Sequence, residues 1–132
     1  MKYLVLPGVV AIYFLLAGYA LGAQSHGRWE KLGERHVDFK SDRDRIDVGR
    51  SEGKFRQIRI NVKDAPIEMY NMIVTFENGK PFSPNLRHRF AEGSNSRVID
   101  LPGERRFIKS VSFRYRSIKK REGRGTVELW AR

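Results

Sequence analysis

Ile58, Ile60 and Val62 alternate with Arg59, Asn61 and Lys63, and this period of two recurs through the chain beyond residue 23, where no stretch shows a convincing helical period. Successive side chains of a strand point to opposite faces, so each such run gives its apolar members to a core and its polar members to water. Val111, Phe113 and Tyr115 alternate likewise with Ser112, Arg114 and Arg116, and Val127, Leu129 and Ala131 with Thr126, Glu128 and Trp130. Shorter runs at 28–32, 36–39, 45–48, 69–76, 87–90 and 97–101 bring the total to eight or nine strands. Turn signals at Asn78-Gly79, at Pro102-Gly103 and between Gly49 and Gly53 separate them. The pattern predicts an all-β fold, an antiparallel β-sandwich of about eight strands with jelly-roll or immunoglobulin-like topology.

Two finer expectations follow from the alternation. Segments 111–116 and 126–131 are expected to form a hairpin in which Arg116 faces Thr126 and Arg114 faces Glu128, with Tyr115 opposite Val127 inside. At an offset of 53 residues the second half also retraces the first: Ile46 falls on Ile99, Asp47 on Asp100, Val48 on Leu101, Ile58 on Val111 and Ile60 on Phe113. Either two pseudo-repeated halves or the shared alternation of any two β meanders accounts for that match. Paired three- or four-stranded units would distinguish them.

After Met1 and Lys2, residues 3–23 carry no charge and end in the small residues Ala20, Gly22 and Ala23. Residues 1–23 therefore read as a cleaved signal peptide. The alternative is an uncut membrane anchor, because 21 residues at about 1.5 Å each span a hydrocarbon core of roughly 30 Å. Residues 24–132 form the single remaining domain. The chain has no cysteine, which excludes disulfides, thiolate catalysis and cysteine-ligated zinc. An exported domain without disulfides fits a bacterial envelope, so the expected location is periplasmic or secreted, or membrane-anchored through residues 3–23.

Lysine and arginine number 26 against 15 acidic residues, and the surplus is uneven. Residues 24–48 hold six of each sign, whereas residues 49–132 hold 19 basic and nine acidic residues. The densest point is 114–124, where Arg114, Arg116, Lys119, Lys120, Arg121 and Arg124 meet one acid, Glu122. With Trp130 expected beside Arg114 on the same exposed face, these residues form a candidate site for an anionic polymer or membrane surface. Solubility alone is the competing explanation of the charge, and docking of another envelope protein is the competing function. Nucleic acid is not an expected partner, since no recognition helix, RNA-binding sheet motif or zinc finger is present. Oligomeric state is left open.

Catalytic patterns are sparse. Gly49-Arg50-Ser51-Glu52-Gly53 matches G-x-S-x-G, but it lies between strand-like segments and not at a strand-to-helix turn. Asp42, Asp44 and Asp47 are interleaved with Arg43 and Arg45, which suits a neutralised turn better than a calcium loop. His26, His36 and His88 have no metal-ligand spacing. The expectation is a non-enzyme with no cofactor, no metal and no catalytic residue.

The runs Ser96-Arg97-Val98-Ile99-Asp100-Leu101-Pro102-Gly103, Arg106-Phe107-Ile108 and Val111-Ser112-Phe113-Arg114-Tyr115 resemble a family of small exported bacterial proteins of unknown function. Ile46-Asp47-Val48-Gly49, Gly53-Lys54-Phe55 and Ile58-Arg59-Ile60 are similar to that family too. The resemblance implies a periplasmic or secreted β-sandwich and carries over no activity or site. The repeated Ile-Asp before a glycine-containing loop predicts that Asp47 and Asp100 accept loop amides and fix the turns.

Overall fold

Ile58, Ile60 and Val62, which alternate along β4 (Gln57–Lys63), are all fully buried, whereas Arg59, Asn61 and Lys63 between them are partly exposed. The computed structural model describes residues 27–132, and the expected signal segment 1–23 lies outside the described residues. Nine further strands obey the same rule to varying degrees: β1 (Glu30–His36), β2 (Asp42–Asp47), β3 (Lys54–Phe55), β5 (Ile67–Phe76), β6 (Pro81–Phe82), β7 (His88–Phe90), β8 (Ile99–Asp100), β9 (Arg106–Ser117) and β10 (Thr126–Ala131). They form two antiparallel sheets. One has the order β1-β10-β4-β8, and the other has the order β2-β9-β5-β6 with β3 on β9 and β7 on β5. The inward side chains of both sheets, among them Ile60, Met72, Val111, Phe113, Tyr115 and Leu129, make one core. Each such side chain contributes about 1.5–3 kcal/mol of burial, so packing alone can hold a domain that has no disulfide.

With β6 and β7 taken as one interrupted strand and β3 as an annex of β9, this order is a jelly roll, not an immunoglobulin fold. The 53-residue offset then acquires a structural meaning. Ile46 pairs with Val111 and Asp47 with Ser110 in one sheet; Ile99 pairs with Ile58 and Asp100 with Gln57 in the other. Each pair is carried onto the other by the offset. The loop bonds match as well, Val48 N–H to Lys109 C=O and Leu101 N–H to Arg56 C=O, both at 2.9 Å. Two four-stranded halves are thus exchanged by a pseudo-twofold operation, each giving two strands to each sheet.

The expected hairpin is not formed. β9 lies between β2 and β5, while β10 lies between β1 and β4 in the opposite sheet. The connection 118–125 crosses from one sheet to the other as an arch, so Tyr115 and Val127 belong to the same core from opposite sides. Alternation gives the same inward faces for a hairpin and for an arch, and a buried serine decides between them. Ser117 Oγ donates to Val37 C=O at 2.7 Å and accepts from Gly125 N–H at 2.8 Å, which fastens the crossing. An unmade pair of such bonds would leave a buried amide unsatisfied.

Three local expectations are corrected. In place of two strands at 28–32 and 36–39 there is one, β1 over Glu30–His36, with an irregularity between Lys31 and Gly33, and residues 37–39 lie outside it. Asp42, Asp44 and Asp47 lie on β2 and not in a turn. Asp47 pairs with Arg45 at 2.9 Å and Asp100 accepts from the Gln57 side chain at 2.7 Å, so neither carboxylate receives a loop amide. The G-x-S-x-G run is a short 3-10 turn between Gly49 and Gly53, whose φ values of 86° and 96° are open to glycine at little cost.

Candidate functional site: the outer face of the six-stranded sheet

Parity on β2 separates charges that are mixed in the sequence. Asp42, Asp44 and Ile46 share the core-facing parity opposite Tyr115, Phe113 and Val111, whereas Arg43 and Arg45 point out. Tyr115 donates its hydroxyl to Asp44 Oδ2 at 2.9 Å, and burial, then Asp44, keeps that phenol protonated. With Asp42 and Asp44 on the inward parity, Asp47 is the one acid of β2 left on the outer face, and it pairs with Arg45.

Arg43 stands directly opposite Arg114 of β9, and both are exposed. Like charges placed opposite each other on one sheet face are destabilising. Among the described residues no carboxylate lies within 4 Å of either guanidinium. On the far side of Arg114 the chain bulges at Tyr70, whose ring takes the Arg114 guanidinium at 5.5 Å and that of Arg87 at 5.9 Å. Such contacts hold a cation without neutralising it. A trough between these groups is lined by Arg43, Asp44, Arg45, Asp47, Asn71, Ile73, Ser112 and Arg114. Both of its acids are engaged, Asp44 with Tyr115 and Asp47 with Arg45.

Further along the face, Glu68 lies between Arg89 at 3.0 Å and Arg116 at 3.5 Å. Burial works against its ionisation, but Arg89 and then Arg116 outweigh burial and hold the carboxyl below the usual range. One acid thus serves two arginines, and the face remains positive.

The residues singled out from sequence separate into three places. Arg114 and Arg116 belong to this face. Lys119, Lys120, Arg121 and Arg124 lie on the exposed arch beyond the end of β9, where Lys119 approaches Glu122 at 3.6 Å and Arg124 approaches Asp38 at 3.9 Å. Trp130 is not beside Arg114. It lies on the outer face of the other sheet, in register with Lys31 and Arg59, because β10 pairs there and not with β9. Its indole N–H points to Glu128 at 3.4 Å. Arg43, Tyr70 and Arg87 were not identified from sequence. Among the described residues no group of three His, Asp or Glu side chains is placed to hold a metal ion.

The architecture and the site together define an all-β jelly-roll domain with one guanidinium-rich outer face. A family model described as a domain of unknown function, DUF2541, matches residues 8–131, and the chain belongs to that family. No curated protein matches it by sequence. Among solved structures it is similar to Pseudomonas aeruginosa AlgX, with 12% identity and a TM-score of 0.50 over 78% of this chain. The chain spans only 26% of the AlgX chain, and the likeness is one of fold. The SPBc2 prophage-derived protein YomS follows at 14% identity and a TM-score of 0.43, covering 79% of this chain and 94% of that one. A point mutant of CBM29-2, a family 29 carbohydrate binding module, gives 10% identity and a TM-score of 0.38, covering 80% and 91%.

Proposed function

We propose that this domain is an exported, non-catalytic module that binds an acidic polysaccharide of the cell envelope along the outer face of its six-stranded sheet. The observation that carries this reading is the Arg43–Arg114 pair, two exposed like charges in register without a carboxylate partner among the described residues. A carboxylate or sulfate group lying between them would relieve their repulsion and accept charge-assisted hydrogen bonds from both. Asn71 and Ser112 line the same trough and offer hydrogen bonds to sugar hydroxyls. Export is supported by the uncharged segment 3–23 and the absence of cysteine.

The surface favours a polymer over the two alternatives. Docking of an envelope protein calls for an apolar patch or an unguarded strand edge. Val98 is the sole large hydrophobic exposed among the described residues, and the free edge of β2 reads Asp-Arg-Asp-Arg-Ile-Asp. Insertion into a lipid surface also calls for exposed apolar side chains. Titration of the 15N-labelled protein with a heparin hexasaccharide tests the assignment. The expected amide shifts include Arg43, Tyr70, Asn71, Ser112 and Arg114. Silence at those residues would overturn it, and tighter binding to phosphatidylglycerol vesicles than to heparin would reassign the face to membranes.

A further inference from the structure

We infer that the domain carries a second, separate anion site at the Trp29 end of the four-stranded sheet, so that one molecule bridges two acidic polysaccharide chains. The inference rests on the polymer-binding reading above and on a different set of residues.

Trp29 gathers two guanidinium groups. The Cζ atoms of Arg59 and Arg132 each lie 4.6 Å from its ring centroid, so they are at most twice that distance apart. Arg132 is oriented by a chain of bonds: its Nε donates to Gln57 Oε1 at 2.8 Å, and Gln57 Nε2 donates to Asp100 Oδ1 at 2.7 Å. The Nε of Arg59 is buried without a hydrogen-bond partner. Next to this ring a hollow is lined by Gly27, Arg56, Gln57, Arg105 and Arg132, so its lining side chains include three guanidinium groups and no acidic residue. Arg105 also donates to Lys54 C=O at 3.1 Å. Arg105 and Arg132 also line a neighbouring hollow together with Glu30, Glu52, Arg28 and Lys54, so the two acids there face four cations.

The rest of that sheet's outer face is different. Glu128 is buried there between Lys31 at 2.8 Å and Lys63 at 3.3 Å, and Lys31 also pairs with Glu34, so two acids meet two lysines. Positive charge is therefore concentrated at one end. That end is set apart from the Arg43–Arg114 pair: Arg106, next to Arg105, and Arg114 are eight residues apart on β9, about 26 Å at the rise of a strand, although the trough reaches back to Asp47, opposite Ser110. Arg59, which stacks on Trp29, belongs to the four-stranded sheet and the Arg43–Arg114 pair to the six-stranded one, and packed sheets lie about 10 Å apart. A single short oligosaccharide would have to turn from one sheet to the other to occupy both, whereas two separate chains can each occupy one.

Calorimetry with a heparin hexasaccharide at low salt should give two equivalents per protein. Arg56→Glu combined with Arg132→Glu should leave one, and so should Arg43→Glu combined with Arg114→Glu. Long-chain heparin should cross-link the wild-type protein into light-scattering aggregates, and either double variant should remain clear. If the Arg56/Arg132 variant melts early, Arg56→Gln alone, at an exposed side chain, should weaken the second equivalent at least threefold. One equivalent in the wild type, unaffected by the Arg56 and Arg132 changes, overturns this inference and leaves the first site standing. No bound hexasaccharide at all overturns the polymer-binding reading itself.

Discussion

Gly125→Ala should lower the melting temperature by roughly 10 °C, corresponding to a loss of about 3 kcal/mol for a domain of this size. The reason is space and not backbone freedom. A Cβ at Gly125 would come within 2.4 Å of Ile67 Cγ2 and 2.8 Å of the Ala65 carbonyl oxygen. Ile67 is fully buried, and Gly125 itself donates to Ser117 Oγ and accepts from Val37 N–H, so the chain cannot step aside without opening the crossing between the sheets. Gly123, two residues earlier, has open space around its Cα and serves as the contrast. Its φ of 82° adds local strain to an alanine there but no clash. Thermal melts followed by circular dichroism check this directly, and an unchanged midpoint for Gly125→Ala would contradict the arch as the element that joins the two sheets.

Reversing both charges of the central pair, Arg43→Glu with Arg114→Glu, should reduce the affinity of the six-stranded face for a heparin hexasaccharide on the order of 100-fold, because juxtaposed like charges cost several kcal/mol across an interface. The comparison that gives this number meaning is Lys120→Glu with Arg121→Glu on the arch, which alters net charge by the same amount. Those two side chains are exposed and lie off the face. If binding were a matter of overall charge, both variants would lose affinity equally. A specific face predicts at least a tenfold gap between them, read by calorimetry or fluorescence anisotropy at one salt concentration. Equal losses would return the charge to a general solubility role.

The contrast between face and arch also marks what could be read from residues alone. Runs such as 58–63 and 111–116 declare their strands and their inward faces, and eight or nine such runs are enough for a sandwich. Partner choice is another matter: parity is the same whether β9 and β10 lie side by side or face each other across the core, so Trp130 was expected on the wrong sheet. Arg114 and Arg116 were legible through local charge density. Arg43 was not, because counting charges along 24–48 gives six of each sign and conceals their separation by strand parity. The signal was present in Asp-Arg-Asp-Arg-Ile-Asp, where Asp42 and Asp44 share the phase of the buried Ile46 and the arginines take the other with Asp47. Tyr70 was hidden for a different reason, since the bulge that presents it is a property of the β5–β9 register and leaves no local mark.

The central claim, that the outer face of the six-stranded sheet takes an acidic polymer, is tested most directly by the salt dependence of heparin hexasaccharide binding to the wild-type domain. From about 0.1 M to about 1 M salt the screening length falls from roughly 10 Å to roughly 3 Å, which separates exposed ionic contacts from buried apolar ones. Affinity is expected to fall steeply and continuously over that range, with the shallower dependence seen for the Arg43→Glu/Arg114→Glu variant. Affinity that holds constant as salt rises, or that is the same in that variant, would contradict the account.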